Sequence, residues 1–289
     1  MHFGKKALLA LMAAIGLLLR VSPVTTAQSE VATQQQAAFR QYGLSSAQIK
    51  GIVIDSALTR TQALGSVDGA SPEVQAIHAK MTTGRDPLTG KRLLEVLPVV
   101  YHGHDGRVHL GQIVVHSFGV EKFAKMFLTM WRLNFPVYSA IPQSQFGYDD
   151  QASMAANNTM VYRPEPDSEH SLGFTGDYNP KQNPFDRTKY QNPQPIEPPD
   201  AVYDKTAKGT IVEDSELRRE FTKAGFEWGG GWGNPETVPS TDFWRVGFFD
   251  YMHTQPDHTW YEESYRHVPA DLAVVTKAQS LKPMLETEV

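Results

Sequence analysis

Residues 93–116 read LLEVLPVVYHGHDGRVHLGQIVVH. Two runs rich in apolar and β-branched residues, 93–103 and 107–116, flank the turn-forming His104-Asp105-Gly106. That pattern predicts a β-hairpin. The stretch that follows, VEKFAKMFLTMWRLNF at 120–135, places Val120, Phe123, Ala124, Phe127, Leu128 and Trp131 at helical spacing. It predicts a core-facing helix, ended by Pro136. VYSAIP at 137–142 predicts a further strand. Hairpins mixed with a few helices point to an α+β domain: a single domain from about residue 76 to the C-terminus, with a small antiparallel sheet flanked by helices.

Downstream, residues 164–200 are rich in proline and carry Asn179-Pro180 and Asn183-Pro184, so they predict irregular loop. SELRREFTKAGF at 215–226 predicts a helix capped by Ser215 and stopped by Gly225. WGGGWG at 228–233 is a glycine–tryptophan turn, and WRVGFFDYMH at 244–253 predicts a strand.

The N-terminus has a different character. Lys5 and Lys6 precede ALLALMAAIGLLL at 7–19, an apolar run shorter than the ~20 residues a membrane-spanning helix needs. With Thr25-Thr26-Ala27 as a small-residue cleavage site, residues 1–27 read as a signal peptide. The mature chain then begins at Gln28, keeps no integral membrane span, and is exported to the periplasm or the exterior. Residues 28–75 are polar and read as a loosely attached leader, partly helical or flexible, with a helix in SEVATQQQAAFRQYG and a second capped at Ser45-Ser46.

Composition narrows the chemistry. Loss of Lys5, Lys6 and Arg20 with the signal takes the formal charge from −5 to −8, which argues against nucleic acid as a partner. The chain has no cysteine, so a metal here is held by His, Asp or Glu. His102, His104, His109 and His116 crowd the hairpin, but without a carboxylate cluster beside them they read as hairpin histidines and not as a metal site. SEHSLGFTGDYNP at 168–180 sets His170 and Asp177 seven apart, with Gly173 and Gly176 between them. FFDYMHTQ at 248–255 sets Asp250 three before His253. Neither spacing is specific alone. Together two imidazoles and a carboxylate can make a three-ligand zinc site with an open fourth position, with Asp250 as the candidate proton acceptor. On a straight strand, positions i and i+3 face opposite ways, so the chain must bend between Asp250 and His253 or start its strand there.

These residues carry a resemblance. Ser168-x-His170-x-x-Gly173-x-x-x-Asp177 resembles the S-x-H-x-x-G-x-A-x-D signature of the zinc D-alanyl-D-alanine carboxypeptidases and the related L-alanyl-D-glutamate endopeptidases of bacteria and phage lysins. SMAANNT at 153–159, Tyr162-Arg163-Pro164, DYNP at 177–180 with Asn183-Pro184, FEWGGGW at 226–232 and Asp250-Tyr251-Met252-His253 resemble further family motifs, in family order. The resemblance implies a Hedgehog/DD-peptidase-like fold with its zinc site at the sheet. It implies His170, Asp177 and His253 as Zn2+ ligands, Asp250 as general base, and Arg163 as the group that binds substrate and steadies the oxyanion. Trp228 and Trp232 are expected to wall the site. The implied activity is hydrolysis of a peptide bond involving a D-amino acid in peptidoglycan stem peptides, D-Ala-D-Ala or L-Ala-D-Glu. The alternatives are a non-catalytic wall-binding protein on the same fold, or a zinc hydrolase of another small peptide. Thr175 stands where the family usually has Ala, and Thr254 where an aromatic is usual, which bears on the shape of the substrate floor. The leader and the extension after about residue 256 lie outside the resemblance.

Overall fold

The computed structural model describes residues 23–166, 168–189, 193–233 and 247–272. Of the expected signal peptide, only residues 23–27 fall among these. Residues 244–246 of the last expected strand lie outside them. The chain begins with α1 (Pro23–Gln41), α2 (Ser46–Gly51), β1 (Val53–Ile54), α3 (Arg60–Leu64) and α4 (Pro72–Thr83). The hairpin follows as β2 (Leu94–His102) and β3 (Val108–His116), then α5 (Val120–Arg132), β4 (Ser139–Ala140), α6 (Asp150–Ala155) and β5 (Asn158–Thr159). The last part holds β6 (Gly176–Asp177), β7 (Phe185–Asp186), α7 (Glu216–Lys223), β8 (Phe226–Trp228), β9 (Phe249–Asp250), β10 (His253–Pro256) and α8 (His258–Tyr265).

The hairpin forms as its alternation predicts, with an unbroken antiparallel register from Leu94↔His116 to His102↔Val108. Helix α5 lies on it and buries Phe123, Met126, Phe127 and Met130, positions spaced three and four apart. Each such fully buried side chain contributes about 1.5–3 kcal/mol relative to exposure. The helix ends before Pro136. Asn134 adopts a left-handed φ of 51°, Asn134 N–H donates to the Trp131 carbonyl and Phe135 N–H to the Met130 carbonyl. This paired closure caps the last carbonyls, so the stop signal is Asn134. Ser215 accepts from Arg218 N–H and starts α7, which buries Leu217 and Phe221.

The α+β class holds, but among the described residues there are four small sheets instead of one antiparallel sheet: β1-β3-β2, β6-β10-β8, β4-β5 and β7-β9. Strand β1 pairs parallel to β3, and β4 parallel to β5. The reason is length. A two-residue strand shows no period-two pattern, and its pairing is set by long-range contacts.

Residues 38–64 are not loosely attached. Ala38, Phe39, Tyr42, Ala63 and Leu64 enter the same core as the hairpin and α5. Ser45 and Thr59 each cap a short helix through a reciprocal box with the glutamine three residues on. Buried Gln112 on β3 fastens the segment. Its Oε1 accepts from Ser56 Oγ and Leu58 N–H, both at 2.7 Å, and its Nε2 donates to the Leu58 carbonyl at 3.0 Å. Gln112→Leu strands these groups, so it is expected to cost about 2 kcal/mol or more in urea unfolding. An unchanged midpoint would contradict that role.

Candidate metal centre

The sheet β6-β10-β8 builds the site. Asp177 on β6 and His253 on β10 are direct cross-strand partners, which brings their side chains together. His170 arrives from a short 3-10 turn, Glu169–Leu172, started by Ser168, whose side chain accepts from His170 N–H. Gly173 closes that turn at a φ of 73°. A Cβ there would come within 2.8 Å of the His116 backbone nitrogen, so only glycine fits both the angle and the space.

The bend required between Asp250 and His253 is present. Asp250 closes β9, which pairs with β7, and Tyr251-Met252 turn the chain before His253 opens β10. The two residues therefore belong to different sheets and face one another. Gly229, in the glycine–tryptophan turn, passes close over this corner. A Cβ there would meet the Asp250 carbonyl oxygen at 2.5 Å.

His170, Asp177 and His253 each offer one ligand atom, all within 4.8 Å of one another. His170 Nδ1 lies 2.8 Å from the Val161 carbonyl, which only accepts, so Nδ1 carries the hydrogen. Its Nε2 then faces Asp177 Oδ2, 3.2 Å away. His253 Nδ1 lies 3.3 Å from Asp177 Oδ1 and 3.8 Å from Asp250 Oδ2. Asp177 Oδ1 and Asp250 Oδ1 are buried and accept no hydrogen bond. Lone pairs converging in a buried pocket, with two carboxylate oxygens lacking donors, suit a cation. Two imidazoles and a carboxylate suit zinc.

Electrostatics agree. Burial pushes the Asp250 carboxyl up to about 7; Asp177 and Glu197 add to this, against the pull of His253 and Arg163. Burial would raise Asp177 too, but His170 and His253 hold it well below the usual carboxylate range. Burial would lower His253, but the neighbouring Asp177 carboxylate and the charge of Asp250 lift it to about 9.

Arg163 sits just outside the three ligands. Its guanidinium pairs with Asp150 on α6 and, at 2.5 Å, with Glu165. Sequence reading missed both carboxylates, and Glu197 as well; Asp150 stands beside the quoted SMAANNT stretch, the one signal that could have marked it. Trp228 is buried and donates to the Tyr251 carbonyl at 2.8 Å, so it packs the corner. The Trp232 ring lies 5.2 Å from that of His253. Thr254 is fully buried, and its hydroxyl donates to the Gly176 carbonyl at 3.4 Å. The hairpin histidines have separate jobs. His102 stacks on Trp131 at 4.0 Å, His104 leans on Tyr138, His109 sits between Asp55 and Asp105, and His116 accepts from Phe118 N–H. His267 pairs with Asp86 at 2.8 Å.

A histidine raised by folding stabilises the fold fully below its ordinary 6.5 and ceases to as pH climbs through about 9. Asp250, also raised, adds a loss in the same direction between 3.8 and about 7. Metal-free protein is therefore expected to lose melting temperature from pH 6.5 to 9, more steeply than its His253→Gln variant. Parallel profiles for the two would contradict the charge assignment.

No curated protein and no solved structure matches the chain. Residues 163–239 match a family model described as D-alanyl-D-alanine carboxypeptidase, a stretch that holds Arg163, His170, Asp177, Trp228 and Trp232. Over that stretch the chain is similar to the D-alanyl-D-alanine carboxypeptidases.

Proposed function

We propose that this protein is an exported zinc peptidase that cuts a bond involving a D-amino acid in peptidoglycan stem peptides, on a Hedgehog/DD-peptidase-like fold. The observation that carries the reading is the His170–Asp177–His253 set, its first two members buried and the third half-buried, with Asp250 beside it. The family match supports the substrate class. Residues 1–27 serve as the export signal, and among the described residues no helix is long and apolar enough to cross a membrane.

His170, Asp177 and His253 would hold the zinc. When bound, the metal supplies Lewis-acid polarisation of water and of the scissile carbonyl at neutral pH. Asp250 faces the same space with a carboxyl oxygen that accepts no hydrogen bond. It is the group to take a proton from the attacking water and return it to the leaving amine, a task suited to a carboxyl poised near neutrality. The planar guanidinium fork of Arg163 suits a carbonyl oxygen that gains negative charge. Asp150 and Glu165 hold that fork in place. Trp232 forms an apolar wall beside His253, which limits water around the reacting groups.

The test is mass spectrometry of muropeptides incubated with mature protein, with zinc or with a chelator. The expected result is zinc-dependent loss of terminal D-Ala, or a cut between L-Ala and D-Glu. His170→Ala should abolish both zinc uptake and cleavage. Asp250→Asn should keep zinc and lose about 10²–10⁴-fold in kcat. Full cleavage by His170→Ala, or intact muropeptides with zinc bound, would overturn the proposal.

A further inference from the structure

Strand β10 alternates: His253 and Gln255 are half-buried on one face, while Thr254 and Pro256 are buried on the other. Gln255 therefore stands beside His253, on the side of the ring away from Asp177. Gln255 Oε1 lies 3.1 Å from His253 Nε2. Its Nε2 donates to Glu227 Oε1 at 2.5 Å. Glu227 is the cross-strand partner of Gln255 on β8, so the sheet register itself sets the three groups in a row. From these contacts we infer that Gln255, oriented by Glu227, is a positioning residue that holds the His253 ring with its Nδ1 toward the metal.

An ionised carboxylate only accepts, so Glu227 draws the amide NH2 of Gln255 to itself. The amide oxygen must then face the imidazole. An amide oxygen also only accepts, so His253 Nε2 keeps its hydrogen. The lone pair offered for ligation is left on Nδ1, the nitrogen that faces Asp177 and Asp250. His170 is fixed in the opposite sense, with Nδ1 on the Val161 carbonyl and Nε2 inward. The two imidazoles thus present different nitrogens, each set by the partner on its far side. Such outer partners fix ring orientation and raise ligand basicity, and their loss weakens metal binding by about 10–100-fold.

This inference rests on the metal-site reading above, and the experiment separates the two. Zinc affinity is measured by chelator competition, and long-range 1H–15N correlation spectra of zinc-loaded protein report the tautomer of His253. In the parent, the spectrum should show hydrogen on Nε2 and zinc on Nδ1. Gln255→Met keeps the volume and removes the acceptor, and should weaken zinc by about 10–100-fold. The double variant Glu227→Gln with Gln255→Glu reverses the pair but leaves an acceptor against Nε2, and should retain most of the affinity. A role in packing alone predicts no such rescue. Should Gln255→Met fail to fold, the parent's tautomer and the double variant still decide. Hydrogen on Nδ1 in the zinc-loaded parent, or parent-like affinity in folded Gln255→Met, would overturn the inference and leave the metal site standing. A parent that takes up no zinc would overturn the metal-site reading itself.

Discussion

Asp177 and His253 face each other across two antiparallel strands, and His170 is folded onto the same point by a glycine that tolerates a left-handed turn. A buried carboxylate between two imidazoles is stable only if positive charge lies among them, since each isolated charge would carry a heavy desolvation cost. Protons on the histidines can provide it, as the raised His253 indicates. A divalent cation can replace them. The surrounding structure can be understood as what holds that arrangement dry and in register. Tyr178 N–H bonds to the Met252 carbonyl and its ring packs on Phe221, so strand β6 is anchored both to the turn before His253 and to helix α7.

The wider fold supports this corner from two directions. The long hairpin and α5 form a conventional core, and the backbone of its last residue, His116, donates to the Gly173 carbonyl at 2.9 Å. Helix α8 closes the other side, with Trp260 edge-on to both Phe174 and Phe226. Tyr265 donates to Glu169, the neighbour of His170, at 3.0 Å. The extension after residue 256 is thus bonded to the loop that carries the first imidazole. Segments outside the quoted motifs contribute mechanical support to the residues inside them.

What could be read from the sequence follows physical lines. The hairpin, α5 and α7 were legible because each is long enough to display its period and carries a cap or turn signal. The residues of the site were legible as motifs, and His170, Asp177 and His253 do converge. The sheet that unites them was not, because its strands are two to four residues long and their pairing is non-local. The corner between Asp250 and His253 was visible only as a contradiction, since a straight strand could not aim both inward. Gln255 carried the one usable hint, its place two residues after His253 on a strand, but its link to Glu227 appears only with the register. The core residues of 38–64 were hidden by the polar average of 28–75, since a few apolar side chains among polar neighbours suffice to dock a segment.

The central claim is that His170, Asp177 and His253 together bind one zinc ion. Zinc K-edge absorption on protein loaded with one equivalent tests it most directly. The account predicts two imidazole nitrogens and a carboxylate oxygen at about 2.0–2.2 Å, with one imidazole contribution lost in His253→Ala. A spectrum unchanged by His253→Ala, or one fitted by waters and carboxylates without imidazole, would contradict it.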